Sequence, residues 1–168
     1  AGTIVGLGNE AVTISDTSLS AAVLLTLDAQ TTGMVNAAAV TTITGTFAEI
    51  NAVYDAGANG TILGLGNEAI TITALLTVAQ LNTLAAQTTG IITAIIIEGN
   101  IATLAGLTET GHALLINVTD TSVAASALNT LNTKTTVPIT VTSTTITGTA
   151  VDISAAYTAN TAGTITGL

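Results

Sequence analysis

The chain has 168 residues, enough for a domain with a real core, and 48% of them are apolar while only 2% are aromatic. Thr makes up roughly another fifth, so the composition is small and β-branched, which suits stacked regular layers better than a core built around large side chains. With one cation, Lys134, a net charge of −9 and no cysteine, the sequence lacks what is needed to neutralise phosphates, to dock on anionic lipid, or to form a disulfide or thiolate metal site.

In chain order, Gly6 to Glu10 is a glycine-rich turn, and Val12-Thr13-Ile14-Ser15 alternates with period two, the signature of a strand. Leu24 and Leu27 then follow at helical spacing, and Thr31-Thr32-Gly33 closes the helix before a second short apolar segment at Met34-Val35. The same order returns several times. Thr42-Ile43-Thr44 predicts a strand, Thr46 with Glu49 has the spacing of a capping box, and Phe47, Ile50 and Tyr54 lie on one helical face ahead of Asn59-Gly60 and Ile62-Leu63. Ile70-Thr71-Ile72-Thr73 precedes Thr77 with Gln80, the helical stripe Val78, Leu81 and Leu84, the turn Thr88-Thr89-Gly90 and the segment Ile91-Ile92. The apolar run from Ile91 to Ile97 is broken by Thr93 and stopped by Glu98, far short of the ~18 residues of a spanning helix. Ile116-Asn117-Val118-Thr119, the helical pair Leu128 and Leu131, Thr145-Ile146-Thr147, Thr149 with Asp152, and Ile165 complete the series. Each helix of about ten residues is too short to persist alone and must pack on the strands. The single proline, Pro138, falls in a second segment, where it would cost a ladder hydrogen bond if that strand were central.

These elements are copies of one another. Gly2 to Ala11 recurs as Gly60 to Ala69, 58 positions on, and Leu24 to Gly33 recurs as Leu81 to Gly90 and, degraded, as Leu128 to Val137. Thr41 to Thr46 reappears as Thr144 to Thr149. Each copy divides in two, which predicts six coils, 8–38, 39–66, 67–93, 94–112, 113–141 and 142–168, of roughly 28 residues each. Strand, helix and strand repeated in one direction predict an α/β fold: a right-handed solenoid of about six stacked coils with parallel β-sheets, six layers at about 4.8 Å making a block roughly 25–30 Å long. The chain opens Ala1-Gly2-Thr3 with no basic leader, and Ala162 to Leu168 nearly repeats Ala1 to Leu7. The expectation is an excerpt of a longer array, or subunits that stack head to tail through uncapped ends.

Asp16 to Ala22, the Leu-Asp-Ala-Gln-Thr-Thr-Gly run at 27–33 and the Thr-Ile-Thr-Gly-Thr run resemble repeats of giant cell-surface proteins of marine cyanobacteria and related bacteria, one of them linked to swimming without flagella. The resemblance covers most of the chain. It implies secretion, a place at the cell surface and a structural or adhesive part, and it carries no catalytic residues.

The sharpest surface pattern is the outward face of the first strand of each coil. Thr13 and Ser15, Thr42 and Thr44, Thr71 and Thr73, Asn117 and Thr119, and Thr145 and Thr147 are expected to align into two hydroxyl-rich ladders, interrupted by Ile95 and Ile97. Such ladders resemble the Thr-X-Thr faces of solenoid ice-binding proteins; the plainer reading is that Thr suits an exposed strand. Asp16 and Asp120 end equivalent strands and are calcium candidates, but calcium takes six to eight oxygens and each coil offers one or two carboxylates, which serve equally as helix caps and solubilising charge. Gly6-Leu7-Gly8-Asn9-Glu10 and its copy Gly64 to Glu68 lack the lysine and third glycine of a phosphate loop and read as tight turns between coils. His112 is the one imidazole, expected at the surface and inert, so no acid–base or nucleophilic site can be assembled and no enzyme, cofactor or nucleic-acid partner is expected. The leading expectation is a structural repeat of a large extracellular protein, acting as spacer, coat or filament and contacting neighbouring repeats or identical subunits end to end. The alternatives are an ice- or surface-binding module and a self-assembling filament subunit.

Overall fold

The computed structural model describes residues 6–168, a mixed α/β chain whose strands pair in parallel. It divides into two compact units, one running up to Ala74 and including Ala86–Gly90, the other comprising Leu75–Ala85 and Ile91–Leu168.

In the first unit the order is β1 (Val12–Thr13), β2 (Ser18–Ser20), α1 (Ala21–Asp28), β3 (Val35–Asn36), β4 (Thr42–Gly45), α2 (Phe47–Asn59), β5 (Ile62–Leu63) and β6 (Ala69–Leu76), whose last two residues belong to the second unit. Two sheets form, β1-β3-β5 and β2-β4-β6. They are parallel because a helical crossover separates each strand from its sheet neighbour. Their registers place like on like: Val12 beside Val35 and Val35 beside Ile62, Leu19 beside Ile43 and Ile43 beside Ile70. Val35, Ile43, Ile62 and Ile70 are buried together with Leu24, Ile50 and Val53 of the helices. The helix starts are local chemistry. Ser20 accepts from Val23 N–H, and Thr46 and Glu49 close a reciprocal capping box in which Thr46 N–H donates to the Glu49 carboxylate over 2.8 Å. α2 stops at Gly60, whose φ of 81° is open only to residues that tolerate the left-handed region.

The second unit runs α3 (Val78–Ala85), β7 (Ile92–Ile96), α4 (Ile101–Leu104), β8 (Ala113–Leu115), β9 (Asn117–Val118), β10 (Ser122–Ala124), α5 (Ala125–Asn132), β11 (Ile139–Val141), β12 (Thr145–Thr147), α6 (Ala150–Thr161) and β13 (Ile165–Thr166). Here β7 pairs with β8, β11 lies between β9 and β13, and β10 pairs with β12, all in parallel. Leu81, Leu84, Leu104, Leu114, Ile116, Leu128 and Ile139 form its core. Pro138 stands just outside the first residue of β11, where no ladder donor is lost.

Three expectations change. The ladder registers recur every 20 residues (Ala94 to Leu114) to 27 residues (Val35 to Ile62), shorter than the average expected from the sequence. Helix length is uneven, from four residues in α4 to 13 in α2. The strands β2 and β10, absent from the sequence reading, form directly ahead of α1 and α5. Their alternation, as in Ser18-Leu19-Ser20, is only three residues long and merges with the helix that follows.

Candidate functional site

The ten residues of the expected hydroxyl ladders do not share one sheet. Thr42 and Thr44 lie on β4, Thr71 and Thr73 on β6, and Thr145 and Thr147 on β12, but Thr13 lies on β1 and Asn117 on β9, while Ser15 and Thr119 fall outside the strands. Hydrogen-bonded register sets Thr13 beside Asn36 and Asn117 beside Thr140. Thr44 neighbours Ser20 and Thr71, Thr42 neighbours Ser18 and Ala69, and Thr145 and Thr147 neighbour Ser122 and Ala124. Of the ten, the described ladders bring only Thr44 and Thr71 side by side. The cause is that each sequence repeat holds two alternating segments of the same appearance. Sequence likeness aligns Val12 with Ile70, whereas hydrogen bonding aligns Val12 with Val35 and Ile70 with Ile43. Where the ladder was expected to break, Ile95 and Leu115 are paired and face outward, 48% and 51% exposed.

Asp16 is exposed in the loop joining β1 to β2, and Asp120 sits in the corresponding loop between β9 and β10. The Asp120 carboxylate is already engaged, accepting from Ile101 N–H at 2.7 Å and from the Asn100 amide at 2.8 Å, so it holds the start of α4. Among the described residues, no group of three or more His, Asp or Glu side chains converges on one point as a metal site would require.

The arrangement that does recur is a threonine clamp on the glycine-rich loops. Thr31 Oγ1 donates to the Glu10 carbonyl over 2.6 Å and accepts from Gly33 N–H over 2.9 Å, while Thr32 N–H reaches the Gly8 carbonyl over 2.8 Å. In the next copy Thr88 Oγ1 donates to the Glu68 carbonyl over 2.8 Å and accepts from Gly90 N–H over 2.9 Å, and Thr89 N–H reaches Gly66 over 2.9 Å. A third clamp joins Thr135 Oγ1 to the Leu114 carbonyl at 2.9 Å and Thr136 N–H to the His112 carbonyl at 2.9 Å. A Cβ on Gly33 or Gly90 would overlap the carbonyl group of Glu10 or Glu68, which explains the glycine in the first two clamps. Threonine is suited to this work because one hydroxyl donates and accepts at once. The signal was present in the recurring Thr-Thr pair, but its long-range partner is invisible without the fold.

Inside the second loop, Glu68 is fully buried. Its carboxylate accepts from Gly66 N–H at 2.9 Å and from the Tyr54 hydroxyl at 2.9 Å. Burial pushes the Tyr54 phenol far up, and the neighbouring Glu68 carboxylate adds to this, so the hydroxyl remains a donor. Glu10, the copy of Glu68, is exposed and accepts from Gly8 N–H at 2.7 Å; that bond holds its carboxyl below the ordinary value.

His112 is not the surface residue expected. It is 8% exposed, its Nδ1 accepts from Ile92 N–H at 3.2 Å, and its Nε2 is buried. An imidazole used as a backbone acceptor is structural. Lys134 Nζ donates to the Thr108 carbonyl at 3.1 Å. No helix of the described residues is long and apolar enough to cross a membrane. No protein-family model, curated protein or solved structure matches the chain.

Proposed function

We propose that the chain is a structural segment of a large secreted or cell-surface protein, a right-handed α/β solenoid without enzymatic activity that works as spacer, coat or filament by stacking layers end to end. The observation that carries this reading is the recurring clamp: the turn after a helix is hydrogen-bonded to the segment 20 or 21 residues before it, one ladder repeat back, in three places with a threonine hydroxyl on a backbone carbonyl. Each layer is thereby held by its neighbour, the arrangement in which stability is a sum of nearest-neighbour contacts and grows with the number of layers. The outward surface carries hydroxyls and few charges, and the buried carboxylate and imidazole are committed to holding backbone and side-chain donors. A tandem fusion of two copies, unfolded in urea beside the single chain, is expected to show a higher midpoint and a steeper denaturant dependence, because more surface is buried cooperatively. Equal midpoints and slopes for the two proteins would sink the reading.

A further inference from the structure

The internal repeat contains an occupied joint and, elsewhere, both halves of the same joint left open. In the occupied version, β6 lies beside β4 with Ala69 next to Thr42, Ile70 next to Ile43 and Thr71 next to Thr44, Ala69 N–H donates to the Thr41 carbonyl over 2.9 Å, and Tyr54 of α2 bonds Glu68. Sequence likeness makes Thr144-Thr145-Ile146-Thr147 the counterpart of Thr41 to Thr44, and Tyr157 the counterpart of Tyr54. It likewise makes Glu10-Ala11-Val12-Thr13 the counterpart of Glu68 to Thr71. Among the described residues β12 pairs with β10 alone and β1 with β3 alone, so each has a free edge. The burial differs accordingly. Tyr54 is 8% exposed and Tyr157 48%; Ile43, Ile50 and Ile70 are fully buried, whereas Ile146, Ile153 and Val12 are only half-buried.

We propose that two copies of this chain join head to tail through these edges. β1 of a second copy pairs in parallel with β12, Ala11 beside Thr145, Val12 beside Ile146 and Thr13 beside Thr147, and the Tyr157 hydroxyl donates to the Glu10 carboxylate of that copy. β13 lies beside β11 as β5 lies beside β3 in the internal joint. The donor direction agrees. Val12 and Ile14 N–H are spent on the Met34 and Asn36 carbonyls, so the N–H of Thr13 points away from β3 toward the open edge. Because the two surfaces are different, the contact is heterologous and propagates rather than closing on itself as a two-fold dimer does.

This joint rests on the end-to-end stacking proposed above. Sedimentation velocity over a concentration series tests it, using the full chain, Tyr157→Phe, Thr13→Pro and, as a control inside the fold, Tyr54→Phe. The full chain is expected to form a ladder of growing species, with Tyr157→Phe and Thr13→Pro each weakening association ten-fold or more and Tyr54→Phe leaving it unchanged. Thr13→Pro keeps every bond to β3, so circular dichroism should confirm its fold. Variants that associate like the parent, or a chain that stays monomeric throughout, would overturn the joint. If the tandem fusion still gains stability in that case, the solenoid reading stands without it; if the fusion gains nothing, both are lost.

Discussion

Glu68 and Glu10 occupy copies of one loop, yet the Tyr54 hydroxyl and full burial are found only at Glu68. Local sequence places a carboxylate two residues after a glycine N–H in both; the second donor at Glu68 comes from α2, 14 residues earlier. His112 shows the same dependence on surroundings. Its burial pushes the imidazole below its ordinary value of 6.5, with the Glu109 carboxylate acting weakly the other way. A proton on Nδ1 would also meet the Ile92 N–H that now donates to it. The stability tied to neutral His112 is therefore complete above the unfolded value. It falls as the pH drops below about 6.5, because the unfolded chain then binds a proton that the folded chain resists. Urea midpoints are expected to decline between about pH 7 and 5, a window above that of the carboxylates. His112→Gln should flatten the decline; an unchanged slope in that variant would remove His112 as its source.

At the scale of single elements, helix starts were legible and helix lengths were not. The pairs Thr46 with Glu49, Thr77 with Gln80 and Thr149 with Asp152 all form, because a cap needs only residues three apart. The shorter acid has a consequence. Glu49 returns a bond to Thr46 N–H, whereas Asp152 reaches only the Thr149 hydroxyl, at 2.7 Å. Glu49→Ala is therefore expected to lower the urea midpoint more than Asp152→Ala, because it alone leaves the cap residue's own N–H without its carboxylate. The reverse order would mean that the reciprocal bond contributes nothing. Strands were legible as alternating segments but not as partners. Two alternating segments per sequence repeat, a few residues apart, satisfy the same period-two pattern, so sequence likeness puts Thr13 in line with Thr42 although it pairs with Asn36.

Over the whole molecule, a net charge of −9 with a single lysine means that copies brought end to end repel. The joint between β12 and β1 draws on backbone pairing and apolar burial rather than on opposite charges. Added salt screens the repulsion within a Debye length of about 10 Å at 0.1 M. Association is therefore expected to strengthen as sodium chloride rises from about 10 to 150 mM, read by the same sedimentation series. Weakening with salt would show that ionic attraction dominates, which this composition hardly supplies.

The amino-acid order by itself determined the parallel α/β character, the recurring loop and the helix caps, since each depends on residues that are neighbours along the chain or on the period of the pattern. Only the tertiary structure decided which strand lies beside which, which of two identical glutamates is buried, and that the lone histidine is an interior acceptor. Those outcomes depend on contacts 14 to 27 residues apart, where several registers bury equally apolar side chains and the hydrogen-bonded backbone selects among them.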